Sequence, residues 1–369
     1  MERTITTGIT RRSVLSGMMA GVTSLSLSPN IYSRVGPLDH IVRLSSNENP
    51  YGPSKKALLA ASQASSMGAY YPSKITMELI ESIAKKNNLN TSQVTLSSGS
   101  NEVLSAAVVA WGKRGKILSP EFTYDLHLGY AERTGTQVIR LPLDSEMSID
   151  LDAFEDAIDD NVSMIYLCNP NNPTGKTIDG DILRNFCRRV GKKVTVLVDE
   201  AYNELTEDPK YSSMTDLIKD NENIIITRTF SKLYGMAGMR IGYAMGRPDL
   251  IKKVRNHVMA WPNIVGLAAA NATYEENDFI EYSLNRINEG RKIVNGVFRK
   301  NGIEPLPSET NFVCADIGRQ VSEFEPKLRE MNVQVHRAYP LYPRHLRVSM
   351  GKIEDLEKFS DVFTDIYQS

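Results

Sequence analysis

The chain has 369 residues, 41% hydrophobic and 24% charged, a composition typical of a globular enzyme with one large domain and one smaller domain. Its 43 basic and 44 acidic side chains nearly cancel, which argues against a nucleic-acid binder or a membrane-surface protein. The three cysteines are too few and too widely spaced for a disulfide scaffold or a metal site, and no apolar run reaches the ~18 residues that span a bilayer.

Residues 1–30 are predicted to be a leader rather than part of the fold. Thr10 to Leu15 includes the pair Arg11-Arg12 and precedes an uncharged, weakly hydrophobic stretch from Ser16 to Ser28, which resembles a twin-arginine export signal. Cleavage is expected near residues 26–30, although no Ala-x-Ala site marks it. The pattern predicts export of the folded protein to the periplasm. The alternative is an accidental arginine pair in the tail of a cytoplasmic protein.

The predicted elements begin with an arm over residues 31–65, which is expected to pack with the C-terminal part of the chain. The arm contains the turn-rich motif NENPYGP, from Asn47 to Pro53, followed by a predicted helix over 54–65. After Tyr70-Tyr71-Pro72, residues 76–88 place apolar side chains on one face and charged ones on the other, as in a helix that packs on a core.

Short apolar strands alternate with helical segments through the rest of residues 66–275. This pattern predicts a large α/β domain with a mainly parallel sheet covered by helices on both faces. A long polar helix over 279–300 then opens a smaller α+β domain, predicted for residues 276–369. We expect the functional crevice between the two domains.

Polar residues follow five predicted strands at the points where these strands end. The five segments that follow them are Ser100-Asn101, Glu121 to His127, Asn169 to Gly175, Asp199 to Tyr202 and Thr229 to Lys232. Ligands of open α/β sheets bind at the carboxyl ends of the strands, so we expect these segments to line one crevice. So many polar groups would be costly to bury without a ligand.

Lys232 is the centre of the last segment. The β-branched run Ile224 to Thr227 predicts a buried strand, and the lysine follows its carboxyl end. A lysine in a desolvated cleft can lose its proton and become a nucleophilic amine. Arg240 adds a permanent cation eight residues later, across a loop that contains Gly235 and Gly238. An amine beside a cation suits an aldehyde that carries a phosphate, and therefore predicts pyridoxal 5'-phosphate as the cofactor.

The other strand ends offer the remaining groups that this cofactor needs. Asp199 is expected to pair with the protonated ring nitrogen, and Asn172 and Tyr202 to donate to the phenolic oxygen. Either Tyr124 or His127 would stack on the ring. The donors expected around the phosphate are Ser100, Asn101, Thr229, Ser231 and Arg240.

Each of these residues also has a plainer interpretation when it is taken alone. Asp199-Glu200 could be a helix-capping pair, and the segment from Asn169 to Gly175 consists of turn residues. Tyr124 and His127 could be core side chains, and Arg347 a surface charge at a strand end. The order and spacing of the whole set favour the cofactor site.

Together, these segments resemble the motifs of the fold-type I, class I/II pyridoxal phosphate-dependent aminotransferases, and in particular the histidinol-phosphate aminotransferase branch. The matching stretches cover nearly all of the chain beyond residue 40. They are NENPYGP (47–53), YP (71–72), SSGSNE (97–102), NPNNPTG (169–175), VDEAY (198–202), RTFSKLYGMAGMRIGY (228–243), TNF (310–312) and LRVSMG (346–351).

The resemblance implies an aminotransferase that moves the amino group of an L-amino acid to a 2-oxo acid. It implies a ping-pong mechanism in which Lys232 forms the internal aldimine and later acts as the general base and acid. Tyr71 matches a tyrosine that reaches the phosphate in the neighbouring subunit, which implies a homodimer with shared active sites. Arg347 matches the arginine that binds the substrate α-carboxylate as a bidentate fork. The remaining substrate contacts are predicted at Asn47, Tyr51 and Arg337.

Three departures from the family pattern bear on the substrate. Asn101 stands where the family usually has an aspartate, so one charge is lost beside the phosphate. The ring-stacking position falls on His127 by its spacing from Thr123-Tyr124, and Arg337 is offset by one residue from the family's valine-arginine pair. An export signal also argues against a role in histidine biosynthesis.

Two alternatives stay open at this point. The same fold and cofactor also support amino-acid oxidation, decarboxylation or β-elimination. A non-catalytic pyridoxal phosphate sensor would need an attached DNA-binding domain, for which residues 1–45 are too short.

Overall fold

The structure is a computed structural model that describes residues 41–369, so the predicted leader and the first part of the predicted arm lie outside the described residues. The strands are β1 (Val42–Leu44), β2 (Val94–Ser97), β3 (Lys116–Pro120), β4 (Val138–Leu141), β5 (Val162–Cys168), β6 (Thr195–Asp199), β7 (Ile224–Thr229), β8 (Gly242–Gly246), β9 (Phe312–Asp316), β10 (Val333–Val335) and β11 (His345–Ser349).

Helices connect most of these strands, and the predicted helices are confirmed with shifted ends. They are α1 (Lys55–Ser65), α2 (Ser73–Lys86), α3 (Ser100–Gly112), α4 (Leu126–Arg133), α5 (Leu151–Asp156), α6 (Gly180–Val190), α7 (Pro209–Ser212), α8 (Thr215–Lys219), α9 (Pro248–Arg255), α10 (Ile264–Thr273), α11 (Asn277–Lys300), α12 (Val321–Glu330) and α13 (Ile353–Gln368). Ser54 illustrates how their ends are fixed, because its side chain accepts a hydrogen bond from the backbone nitrogen of Ala57 and caps α1.

A seven-stranded sheet with the order β2-β8-β7-β6-β5-β3-β4 forms the centre of the fold. The pairs from β4 across to β7 are parallel, whereas β8 is antiparallel to both of its neighbours, β7 and β2. Because β8 runs opposite to both β7 and β2, these two strands run in the same direction as each other. The carboxyl ends of six strands therefore meet at one edge of the sheet, as the sequence predicted for five of them.

Successive side chains along each strand point to opposite faces of this sheet, so the core is divided into two clusters, one on each face. On β5, Ile165 and Leu167 belong to one hydrophobic cluster and Tyr166 to the other. The same alternation on β6 assigns Val196 and Val198 to the first cluster and Leu197 to the second. A strand buried on both faces reads as a continuous apolar run, which is why these strands were recognisable in the sequence.

The C-terminal residues build two small sheets beside the central one. β1 from the predicted arm pairs in parallel with β10, and β9 pairs antiparallel with β11. β1 thus contacts the C-terminal residues, whereas α1 packs against α10, and the arm as a unit of the small domain stays a prediction. Val42–Ser369 forms one compact unit, and a domain boundary near residue 276 stays a prediction.

Among residues 41–369, no helix combines the length and the apolar character needed to cross a membrane. All three cysteines are buried as free thiols, in agreement with the expectation of core positions.

Candidate active site

A cavity of about 1190 Å³ lies at the carboxyl edge of the central sheet. Residues from all five predicted strand ends line it. The predicted site residues among its walls are Asn47, Ser100, Asn101, Tyr124, Asn172, Asp199, Tyr202, Thr229, Ser231, Lys232, Arg240, Arg337 and Arg347. The structure thus brings together residues that are separated by up to 300 positions in the chain.

One end of the cavity is built around the start of α3. Gly99 has a left-handed backbone with φ of 82°, and a Cβ there would overlap the guanidinium of Arg240. A Cβ at Gly242 would overlap the backbone nitrogen of Ser100. These two glycines therefore allow Arg240 and β8 to approach the free N–H groups at the helix start, which is a favourable position for an anion.

The loop after β7 adds hydroxyl groups to the same end. The Thr229 and Ser231 hydroxyl oxygens are 2.9 Å apart, and the backbone nitrogen of Ser231 donates to Thr229 Oγ1 over 3.1 Å. Arg240 Nη1 donates to Ser231 Oγ at 3.4 Å and to the carbonyl oxygen of Ala237 at 2.9 Å. The set of hydroxyl, backbone and guanidinium donors fits a phosphate group.

Lys232 lies three residues beyond the end of β7, with its Nζ donating to the backbone carbonyl oxygen of Asn47 over 3.2 Å. Burial lowers its pKa from 10.5 to about 8, and the nearby cation Arg347 acts in the same direction. Asp199 opposes this effect because a carboxylate favours the charged ammonium. The amine is therefore neutral in a larger fraction of molecules than an exposed lysine, as a nucleophile requires.

Asp199 ends β6 and is 2% exposed. Burial raises its pKa from 3.8 to about 6, against the opposing effects of a hydrogen bond from Thr227 and of the Lys232 charge. A buried carboxylate of this kind is costly without a cationic partner. It therefore suits the protonated nitrogen of a heteroaromatic ring.

The substrate side of the cavity is organised by Arg347 on β11. Its Nη1 donates to Asn172 Oδ1 at 2.7 Å, and its Nη2 donates to the carbonyl oxygen of Ser45 at 2.6 Å. Its Nε is buried and has no hydrogen-bond partner among the described residues. The guanidinium is thus held from two sides while it retains donors for an anion such as a carboxylate.

Tyr124 rather than His127 lines the cavity, which corrects the inclusion of His127 among the cofactor-binding residues. Tyr124 precedes α4, and its hydroxyl donates to Asn101 Oδ1 at 2.6 Å. His127 lies inside the first turn of α4, is 1% exposed, and packs edge-on against Tyr166 at 4.3 Å. Burial lowers its pKa to about 3, so the imidazole is neutral.

Two further predicted residues lie away from this cavity. Tyr51 does not line it: its hydroxyl accepts a hydrogen bond from the backbone nitrogen of Ile353, and its ring packs edge-on against Tyr282. The prediction of Tyr51 as a substrate contact is therefore wrong for the cavity of its own chain. Tyr71 is also outside the cavity and is 87% exposed.

Several residues with close contacts to the site were not predicted. Thr227 donates to Asp199, Ser349 and Asn311 bond to Asn47, and the carbonyl oxygen of Ser45 accepts from Arg347. Thr227 had a detectable signal, because it is a hydroxyl residue inside a run of isoleucines. Asn311 and Ser349 lie in the motifs TNF and LRVSMG, which the sequence singled out without assigning these two residues a role, and Ser45 lies just before NENPYGP.

The residues present fit pyridoxal phosphate. The helix start beside Gly99 and Gly242 suits a phosphate group. Asp199 suits a ring nitrogen, and Lys232 suits an aldehyde. Within the described part of the chain, no group of three or more His, Cys, Asp or Glu side chains is arranged to hold a metal ion.

Comparisons with known proteins agree with this geometry. The family model described as aminotransferase class I and II matches residues 39–363. A histidinol-phosphate aminotransferase of Symbiobacterium thermophilum is 34% identical over 325 residues, covering 87% of this chain and 89% of the relative.

Two solved structures are similar over most of their length. The histidinol-phosphate aminotransferase of Clostridium acetobutylicum is 25% identical with a TM-score of 0.81, covering 88% of this chain and 98% of the other. The histidinol-phosphate aminotransferase of Sinorhizobium meliloti, solved in complex with pyridoxal 5'-phosphate, is 22% identical with a TM-score of 0.80. The second likeness covers 94% of this chain and 99% of the other, and shows the fold.

Proposed function

The chain belongs to the class I and II aminotransferase family, and on that premise we propose that its cavity uses Lys232, Asp199 and Arg347 to exchange an amino group between an L-amino acid and a 2-oxo acid. It is a pyridoxal phosphate-dependent transaminase with the fold-type I architecture. The observation that carries the assignment of roles is that an amine of lowered pKa, a buried carboxylate and a doubly held guanidinium line one cavity.

When bound, pyridoxal phosphate supplies an aldehyde that condenses with amines and an electron-poor ring that stabilises negative charge at the substrate α-carbon. Asp199 would hold the ring nitrogen protonated, and Tyr202 and Asn172 would face the phenolic oxygen. Tyr124 would cover one face of the ring. The phosphate would be bound by the start of α3 together with Thr229, Ser231 and Arg240.

Lys232 has two successive roles in this scheme. Its neutral amine would hold the cofactor while no substrate is bound, and would be free for acid-base work once substrate is bound. The freed Nζ is placed to take the proton from the substrate α-carbon, because the lysine remains in the wall of the same cavity. Its lowered pKa brings the amine close to the range in which a general base works best.

Arg347 would bind the substrate α-carboxylate, and Arg337 is proposed to face the substrate side chain. Arg337 lines the cavity, and its guanidinium forms no ion pair with another described residue. An anionic or strongly polar side chain would complement this cation. The named relatives act on histidinol phosphate, which is therefore one of the amino donors to be tested.

We further propose a homodimer in which Tyr71 enters the partner's active site. Tyr71 is too exposed to serve its own cavity, and several large apolar side chains near it in the chain are also exposed. They are Leu58, Leu59, Met67, Tyr70 and Met77. Exposed apolar side chains of this size support an interface with another protein surface.

The proposal of export depends on Arg11 and Arg12, which lie outside the described residues. Lysine replacement of both should retain the protein in the cytoplasm, as shown by cell fractionation. If the replacement leaves the fractionation of the protein unchanged, the segment is an ordinary tail.

The test of the proposed function is a half-reaction. Purified holoenzyme is mixed with single L-amino acids or histidinol phosphate, and loss of the cofactor's visible absorbance is followed. Transamination requires that the bleached form is stable and that 2-oxoglutarate or another 2-oxo acid restores the absorbance. Oxygen consumption or release of carbon dioxide would instead assign an oxidase or a decarboxylase. The Lys232→Ala variant serves as the control, because it should lose turnover.

A further inference from the structure

Asn47 occupies an unusual position at the bottom of the N-terminal arm. It is 2% exposed, and its backbone has a left-handed φ of 54°, a conformation that asparagine tolerates better than most residues. Its backbone carbonyl oxygen accepts hydrogen bonds from Lys232 Nζ at 3.2 Å and from Asn311 Nδ2 at 2.8 Å. The side chain is therefore held at a fixed place beside the catalytic lysine.

The orientation of the Asn47 amide follows from its contact with Ser349. Ser349 Oγ accepts a hydrogen bond from the backbone nitrogen of Asn47 at 2.8 Å, so its own proton is free to point elsewhere. That proton is donated to Asn47 Oδ1, which also lies 2.8 Å away. Because the hydroxyl donates to the amide oxygen, the amide nitrogen must face the other way.

The amide nitrogen faces Tyr202. Asn47 Nδ2 donates to the Tyr202 hydroxyl oxygen at 3.0 Å. An oxygen that accepts from one side can donate its own proton on the other side, which here is the cavity. The Tyr202 ring packs edge-on against Phe312, with 5.3 Å between the two ring centroids. The direction of the chain of hydrogen bonds thus runs from Ser349 and Asn47 through Tyr202 into the cavity.

We propose, on the premise of the proposed function, that Asn47 oriented by Ser349 is a positioning residue that fixes the Tyr202 hydroxyl as a hydrogen-bond donor to the cofactor's phenolic oxygen. Donation to that oxygen favours its charged form and lowers the apparent pKa of the bound cofactor. This relay of hydrogen bonds, formed by Ser349, Asn47 and Tyr202, thereby sets the pH range in which the cofactor reacts.

The charged and titratable groups around Tyr202 do not replace this relay. Those that face it are Arg347, Cys168 and Asp199, and the Lys232 ammonium lies 5.6 Å from its ring centre. Burial raises the pKa of Tyr202 well above its ordinary value, so the hydroxyl keeps its proton. The Arg347 guanidinium is a donor only, and the Lys232 amine would be engaged by the cofactor in the holoenzyme, so neither would compete with the phenolic oxygen for that proton.

The test is a spectrophotometric pH titration of the bound cofactor in the holoenzyme and its variants. Asn47→Gly removes the amide, tolerates the left-handed φ, and keeps the carbonyl oxygen that bonds to Lys232 and Asn311. We expect the apparent pKa to rise by about 1 unit, and by about 1–2 units in Tyr202→Phe. In the Tyr202→Phe background, Asn47→Gly should cause no further rise.

A second pair of variants tests the relay without touching the arm. Ser349→Ala should raise the apparent pKa by less than Asn47→Gly, because the amide is still present but no longer oriented. Ser349→Thr keeps the hydroxyl and should restore the wild-type value. An unchanged pKa in both Asn47→Gly and Ser349→Ala would overturn the proposal.

Two other outcomes have separate meanings. An equal rise on Asn47→Gly in the wild-type and Tyr202→Phe backgrounds would overturn the proposal, because the effect would not pass through Tyr202. A protein that never acquires a visible cofactor absorbance, even as wild type, would instead contradict the proposed function itself. Bound cofactor with an unmoved pKa leaves the function intact and rejects only the relay.

Discussion

Thr227 and Asp199 are register partners on the parallel strands β7 and β6, and the Thr227 hydroxyl donates to Asp199 Oδ1 at 2.9 Å. This hydrogen bond lowers the pKa of a carboxyl group that burial raises. The threonine therefore helps to keep Asp199 ionised when the cofactor's ring nitrogen must be protonated.

Thr227→Val keeps the shape of the side chain and removes this hydrogen bond. The loss of a hydrogen bond to a charged group costs about 1–2 kcal/mol, so we expect the cofactor Kd to rise about five- to thirtyfold. Titration of the cofactor-free protein with pyridoxal phosphate, followed by absorbance, measures the effect. Thr227→Ser retains a hydroxyl and should keep most of the affinity. Equal losses in both variants would contradict a role for the hydroxyl.

Asp199→Asn should stabilise the cofactor-free protein at neutral pH while weakening cofactor binding. The Asp199 pKa is raised from 3.8 to about 6, so the folded state binds this proton more tightly than the unfolded chain does. The stability linked to this proton is fully present below about pH 4 and is lost as the pH rises through about 6.

The variant should therefore be more stable than wild type by about 1–3 kcal/mol at pH 7.5, with the difference vanishing near pH 4. Urea unfolding of both proteins without cofactor across this pH range measures the difference. If the difference in unfolding free energy between the two proteins is the same at every pH, the substitution does not act through the Asp199 charge.

Loading of the cofactor should depend on the neutral form of Lys232. Because its pKa is lowered to about 8, the loading rate should rise about tenfold per pH unit below that value and level off above it. Borohydride reduction of timed samples, followed by mass measurement, counts the protein that has reacted. Lys232→Ala should remain unmodified. A rate that still climbs steeply at pH 9 would indicate an ordinary lysine.

Arg347→Lys should mainly raise the KM for the amino acid. Lysine carries one compact ammonium, which cannot bond to Asn172 and the Ser45 carbonyl while also gripping a carboxylate in a bidentate way. We expect KM to increase about 100-fold with a smaller change in kcat. Arg344→Lys is a matched control on the exposed surface and should leave both constants unchanged. A decrease in kcat with an unchanged KM would contradict a role for Arg347 in substrate binding.

Tyr71 offers a test of the shared site by mixing two defective chains. A dimer of one Lys232→Ala chain and one Tyr71→Ala chain has one site that combines an intact Lys232 with a partner's intact Tyr71. Random mixing should restore about a quarter of the wild-type activity. If the mixture shows only the summed activities of the two separate variants, Tyr71 does not act across an interface.

The strand ends could be predicted because each depends on a local pattern. The isoleucines before Thr227 and the apolar run before Asp199 mark buried strands, and a parallel sheet then brings their ends together. β8 was not foreseen as an antiparallel strand, since Gly242–Gly246 is short and begins and ends with glycine.

The errors concern the direction in which a side chain points. Spacing alone could not distinguish Tyr124 from His127, because the answer depends on α4 beginning at Leu126 and turning the histidine inward. Tyr51 was assigned by motif, and its position depends on a contact with Ile353 in a distant helix. Such contacts follow from tertiary packing, which no local pattern encodes.

The contacts of Asn47 also bear on how the enzyme matures during synthesis. Tyr202 lies 155 residues after Asn47, and Ser349 lies 302 residues after Asn47. The site therefore cannot be complete until β11 has left the ribosome. Long-range pairings of this kind form late, after the local helices and strands. Nascent chains halted before residue 349 should therefore contain a nearly finished central sheet that binds pyridoxal phosphate poorly.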